Sequence, residues 1–122
     1  MFVASVAGLG GARYLAHYTA AKHAVVGLAR ALAAEYDGKG VTVNAVCPGY
    51  VDTAITERAV ASVEKRSGLA REEALAAVLA SAEQARLLSP EEVADEVAAL
   101  CHPEASAVNG QAIVLLPRTA TT

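Results

Sequence analysis

The sequence predicts an α/β fold, a parallel sheet of about three strands covered by helices, and three observations carry the prediction. Short apolar runs alternate with helix-period segments in the order strand, helix, strand, helices, strand. Strands that alternate with helices in this way pair in parallel through right-handed crossovers. In addition, 54% of the residues are hydrophobic and 19% are charged, which supplies apolar surface for a core and too little charge for a disordered chain. With no Trp, one Phe and four Tyr, that core has to be built from Ala, Val, Leu and Ile. At 122 residues the chain reads as a single domain over 1–122.

Each element follows from its own residues. Phe2-Val3-Ala4-Ser5-Val6 is an apolar run broken by Gly8, Gly10 and Gly11, a strand running into a loop. From Tyr14 to Tyr36, apolar positions at Tyr18, Ala21, Val25, Leu28 and Leu32 step by three and four along one helical face. A second stripe, Ala20, Ala24, Gly27, Ala31 and Ala34, is made of small residues suited to close packing, so both faces are expected to be buried. Asp37-Gly38-Lys39-Gly40 is turn chemistry that ends the helix. Residues 41–46 then read as a β-branched strand, stopped at Cys47-Pro48-Gly49 because proline cannot donate to the ladder. Asp52 or Thr53 caps the next helix, and helical pieces run over 54–65 and 71–85, separated at Ser67-Gly68. Ser89-Pro90-Glu91-Glu92 is a helix start, with Ser89 as N-cap, Pro90 in the first helical position and Glu92 closing a capping box. That helix reaches Cys101, before Pro103. Asn109-Gly110 turns the chain into a last strand over 111–116, and a polar tail follows from Pro117 to Thr122.

Charge and composition exclude several classes of function. Ten Lys and Arg against thirteen Asp and Glu give a net charge of −3, which offers no footprint for nucleic acid. The uncharged stretches near residues 1–12 and 104–117 are too short to span a bilayer. Cys47 and Cys101 come with no CxxC spacing and no secretory signal, so two free, mostly buried thiols in a reducing cytoplasm are expected. His17, His23 and His102 show no metal-ligand spacing with each other or with the cysteines, and no metal is expected.

In sheets of this kind ligands gather outside the carboxyl ends of the strands, here residues 5–11, 47–53 and Leu116 onward, and the chemistry is expected in the first two. Tyr18 and Lys22 lie four residues apart and share one face of their helix. A phenol ionises at about pH 10, so general acid/base work near neutrality requires a stabilised anion. Lys22 and the helix amino terminus both place positive charge in that direction. Ser5, thirteen residues before Tyr18 at the end of the first strand, places a hydroxyl where it can donate to a carbonyl oxygen. Plainer structural roles stand beside these. Ser5 can bond its own backbone, Thr53 can serve as an N-cap, Pro48 and Gly49 can simply set the path of their loop, and Asn44 can satisfy backbone groups beside its strand.

Taken together, Ser5, the Gly8/Gly10/Gly11 loop, Tyr18-Thr19-Ala20-Ala21-Lys22, Val43-Asn44, and Pro48-Gly49 with Thr53 resemble the short-chain dehydrogenase/reductase family. The likeness runs over about residues 3–114 and extends to order and spacing. It implies a partial Rossmann-like, doubly wound sheet equivalent to the carboxyl-terminal, catalytic half of a member. The activity it implies is NAD(P)-dependent hydride transfer between nicotinamide and a secondary alcohol or ketone, with a 3-hydroxyacyl or 3-hydroxy acid as the candidate substrate. By the same resemblance Tyr18 is the catalytic acid/base, Ser5 polarises the substrate carbonyl, and Lys22 binds the nicotinamide ribose and favours the phenol's anion. Tyr18, Lys22, Pro48, Gly49, Val51 and Thr53 are the implied cofactor contacts, the choice of NAD or NADP stays open, and the Tyr14 to Tyr36 helix is the implied homo-oligomer contact. The glycine-rich dinucleotide turn, the adenosine site and the catalytic asparagine are expected upstream of Met1. Gly8-Leu9-Gly10-Gly11-Ala12-Arg13 is not that turn, because Arg13 takes the place of its last glycine and the following helix carries Tyr18 and Lys22. Leu115-Leu116-Pro117-Arg118 stands where relatives carry an acidic residue and glycines. A second reading is a catalytically silent chain acting only through oligomerisation or association with a partner chain.

Overall fold

In the computed structural model, which describes residues 1–117, three parallel strands form: β1 (Phe2–Val3), β2 (Ala45–Pro48) and β3 (Ala112–Leu115). Their order is β1-β2-β3, with Phe2 opposite Ala45, Ala45 opposite Ala112, and Pro48 opposite Leu115. Each is shorter than its apolar run predicts. β1 stops early because Ser5 caps a 3-10 turn, Val6–Gly8, accepting the Ala7 N–H at 3.1 Å. β2 starts only at Ala45 because side chains replace the ladder before it: the Val43 N–H donates to Asn109 Oδ1 at 2.9 Å and Asn44 Nδ2 donates to Val108 O at 2.8 Å. At its other end the strand runs through Cys47 and includes Pro48, so the proline is the last residue of the ladder and not the first residue beyond it.

The described residues divide into two compact units, 1–48 with 91–115, and 49–90 with 116–117. The first unit holds the sheet, α1 (Ala16–Glu35) and α4 (Pro90–Cys101) from Glu91 onward. Its core is made of small residues: Ala4, Val26, Ala29, Ala33, Val43, Ala45 and Cys47, with Phe2, Val25, Leu32 and Ala112 packed at its margin. The buried face of α1 is therefore Val26, Ala29 and Ala33, offset from the predicted stripe; Ala21 is exposed and Leu28 is 48% exposed. The second predicted stripe is wrong in its burial, since Ala20, Ala24, Gly27, Ala31 and Ala34 are all exposed. Close packing explains the offset. Ala29 and Ala33 let the helix backbone approach Ala45 and Cys47, a separation that a leucine at either position would prevent.

Asn44 is fully buried with both ends of its carboxamide engaged, because its Oδ1 also accepts the Gln111 N–H at 3.0 Å. Asn109 works beside it, with Nδ2 donating to Ala33 O at 3.3 Å. Replacing Asn44 with Leu leaves the Gln111 N–H and the Val108 carbonyl without these part-buried partners, a loss expected to cost about 2 kcal/mol. Denaturant unfolding of the Asn44→Leu variant checks this, and an unchanged midpoint would contradict it.

The second unit packs α2 (Ala54–Ser67) against α3 (Arg71–Ser81) through Val60, Ala74 and Val78, with Tyr50, Val63 and Leu75 around them. Exposed Arg71 Nη2 bonds Glu57 Oε2 at 2.5 Å between the two helices. α3 ends at Ser81, four residues before the predicted Ala85. Glu83 takes a left-handed φ of 52° and the Gln84 N–H reaches back to Leu79 O at 3.0 Å, the ring closure that terminates helices. The expectation of two mostly buried thiols holds for one: Cys47 is buried and Cys101 is exposed. The predicted polar tail lies outside the described residues from Arg118 onward.

Candidate active site

Lys22 and Tyr18 meet as the four-residue spacing requires: Lys22 Nζ lies 5.6 Å from the centroid of the Tyr18 ring. The ammonium is anchored at the end of β1, donating to Val3 O at 3.1 Å. Ser5 follows two residues later. Continuing the strand register by two residues past Val3 places Ser5 on the same row as Pro48 and Leu115, at the carboxyl edge of the sheet. The 3-10 turn that Ser5 caps presses on α1 at Lys22. A Cβ built on Gly8 would fall 2.7 Å from the Lys22 carbonyl oxygen and 3.2 Å from Val26 Cγ2, so only glycine permits this approach.

The phenol of Tyr18, half-buried, has no hydrogen-bond partner among the described residues. The neighbouring Thr19 hydroxyl is buried and also without one. Behind Ser5 lies Cys47, whose thiol burial pushes up, against the opposing pull of the Ser5 backbone N–H and the charges of Arg30 and Lys22. Held as a neutral thiol in an apolar core, Cys47 is a packing residue and not a nucleophile.

Gly49, Val51 and Thr53 belong to the second unit, where they form a loop leading into α2. Thr53 occupies the N-cap position, but its hydroxyl makes no cap bond; it donates to Val51 O at 3.4 Å. Buried Thr56 bonds the same carbonyl at 2.6 Å. On the other side, Asp52 N–H donates to Leu88 O at 2.8 Å and Leu88 N–H donates to Tyr50 O at 3.0 Å. The carboxamide of Gln84 bonds both backbone groups of Tyr50, accepting its N–H at 2.8 Å and donating to its carbonyl at 2.7 Å. A Cβ on Gly49 would overlap Gln84 Oε1.

Residues 1–115 match the family model described as enoyl-(acyl carrier protein) reductase. The chain belongs to the short-chain dehydrogenase/reductase family. It is 40% identical over 114 residues to the uncharacterized oxidoreductase YxjF of Bacillus subtilis, covering 93% of this chain and 44% of that protein. To the 3-oxoacyl-[acyl-carrier-protein] reductase FabG of Vibrio cholerae it is 37% identical over 111 residues, covering 91% of this chain and 41% of the relative. The crystal structure of an actinorhodin polyketide ketoreductase variant with NADPH superposes with a TM-score of 0.83 at 37% identity, over 93% of this chain and 44% of that one. The chain thus spans less than half the length of these relatives.

In this short-chain dehydrogenase/reductase the structure joins the turn of Ser5, Tyr18 and Lys22 in the first unit, where Pro48 also ends β2. It groups Gly49, Val51 and Thr53 in the second. Sequence reasoning missed Gln84 and Thr56, whose bonds to the 49–53 loop carry no periodic signal. Gly8 was read as a strand breaker and as part of the resembling loop; its close approach to α1 at Lys22 is added by the structure.

Proposed function

We propose that this chain carries the catalytic residues of an NAD(P)-dependent oxidoreductase acting on a secondary alcohol or ketone. The observation that carries the reading is the Lys22 ammonium, fixed to the end of β1 and 5.6 Å from the Tyr18 ring. The donor set fits the nicotinamide ribose and a carbonyl substrate. Lys22 has given one of its three N–H groups to Val3, Ser5 uses its oxygen as an acceptor and keeps its O–H to donate, and the phenol of Tyr18 is free among the described residues.

Bound nicotinamide dinucleotide supplies or accepts the hydride. Tyr18 holds and moves the proton at the substrate oxygen, Ser5 orients that oxygen, and Lys22 binds the ribose hydroxyls while keeping positive charge beside the phenol. Pro48, Gly49, Val51 and Thr53 border the nicotinamide, with the Val51 N–H, unpaired among the described residues, as the polar contact. The ketoreductase and 3-oxoacyl reductase relatives support a 3-oxoacyl thioester, or the matching 3-hydroxy acid, as substrate. The exposed face of α1 that carries Ala20, Ala24, Gly27 and Ala31 supports that helix as the contact with a second copy. A reducing cytoplasm fits the two unpaired cysteines.

The test is to capture the native polypeptide from its source cells with an antibody to residues 71–96, and to measure its mass and its NADPH- or NADH-dependent reduction of a 3-oxoacyl thioester. A species near twice 12.4 kDa that consumes the cofactor is expected. A 12.4 kDa species that binds no dinucleotide would favour the silent, associating chain instead.

A further inference from the structure

We propose that Gln84 is a positioning residue that aims the Val51 amide at the cofactor. The proposal rests on the reading above that the 49–53 loop borders the nicotinamide. Gln84 is only 6% exposed, and its carboxamide makes three bonds: with the Tyr50 N–H, the Tyr50 carbonyl, and Arg86 O at 2.6 Å. It engages both backbone groups of one residue, as a neighbouring strand would. The Tyr50 carbonyl is thus held by two donors, Gln84 Nε2 and the Leu88 N–H. The peptide bond is planar and trans, so fixing that carbonyl fixes the Val51 N–H in the opposite direction. That N–H has no partner among the described residues. Thr56 pins the next carbonyl, Val51 O, and the Asp52 N–H is held by Leu88 O, so the Val51 amide is fixed between held groups and, among the described residues, is itself left to serve a ligand.

Two features show that the clamp shapes the chain around it. Gly49 carries no Cβ where one would overlap the Gln84 carboxamide. Glu83, immediately before Gln84, accepts a left-handed backbone that a side-chain-bearing residue rarely adopts, and the turn it makes ends α3 and starts the segment that presents Gln84.

The test is Gln84→Glu, made in the native polypeptide. As a carboxylate it still accepts the Tyr50 N–H but faces the Tyr50 and Arg86 carbonyls without a proton to give; protonated, it recovers one donor. Burial beside two carbonyl oxygens raises that carboxyl toward neutrality, so acidification favours the protonated form. The expected result is a KM for the dinucleotide that rises about tenfold at mildly alkaline pH and returns toward the wild-type value on acidification, with kcat and the substrate KM nearly unchanged. Hydrogen exchange in the peptide spanning Tyr50 to Asp52 should quicken in parallel. Gln84→Met, which removes all three bonds at similar length, should show the raised KM at every pH. Unchanged exchange in both variants overturns the clamp and leaves the proposed reaction standing. Faster exchange with an unchanged dinucleotide KM also overturns the proposal, and with it the assignment of this loop to the nicotinamide.

Discussion

Replacing Tyr18 with Phe is expected to lower kcat by about a hundredfold to ten-thousandfold, the range that removal of a positioned general acid/base produces. The variant is informative because it removes so little. Phe keeps the aromatic ring over which the Lys22 ammonium lies and leaves the Lys22–Val3 bond untouched. No hydrogen bond to the phenol is lost from the fold, since Tyr18 makes none among the described residues. Stability and dinucleotide affinity should therefore stay within about twofold of wild type while turnover collapses, the signature of an interaction made only in the transition state. Steady-state kinetics and a fluorescence titration with NADPH, run on the same native polypeptide, separate the two quantities. Turnover equal to wild type would remove Tyr18 from the chemistry, and with it the reading of the Tyr18–Lys22 pair.

The parts of the site that depend on local geometry were legible in the sequence, and the parts that depend on distant contacts were not. The spacing of Tyr18 and Lys22 fixes their relation through the pitch of one helix, and the structure keeps it. Ser5, just beyond the first strand, was legible from local sequence too, and its bond to the Ala7 N–H is the structural role the sequence offered beside the proposed chemical one. The burial of α1 was misread because hydrophobicity favoured Leu28, whereas packing against a sheet of Ala and Cys favours the small Ala29 and Ala33. Gln84 was invisible for a different reason. Its partner Tyr50 lies 34 residues away, and a single amide between helices carries no periodic signal. Asn44 was read correctly as a backbone-satisfying residue, because a polar side chain inside an apolar strand has few other ways to be buried.

Gly8→Ala should damage stability and turnover together. The added methyl would lie 2.7 Å from the Lys22 carbonyl oxygen and 3.0 Å from the carbonyl carbon, both backbone atoms of α1 that no rotamer change can move. Either the 3-10 turn lifts away from the helix or the helix shifts. Overpacking of a rigid contact costs up to about 3 kcal/mol, and this site belongs at the upper end because neither neighbour is a flexible side chain. The consequence for chemistry follows from connectivity. Ser5 caps this turn, and Lys22 lies on the helix it presses, so the displacement acts directly on the distance between the serine hydroxyl and the lysine–tyrosine pair. A misplacement of about 1 Å lowers turnover by about a hundredfold. Gly10→Ala is the control, since a Cβ there meets nothing within 4 Å and should leave melting and kcat unchanged. Thermal melts and kcat for both variants decide the matter. If Gly8→Ala behaves like Gly10→Ala, the turn does not hold Ser5 against α1, and the coupling between this glycine and the proposed catalytic residues is wrong.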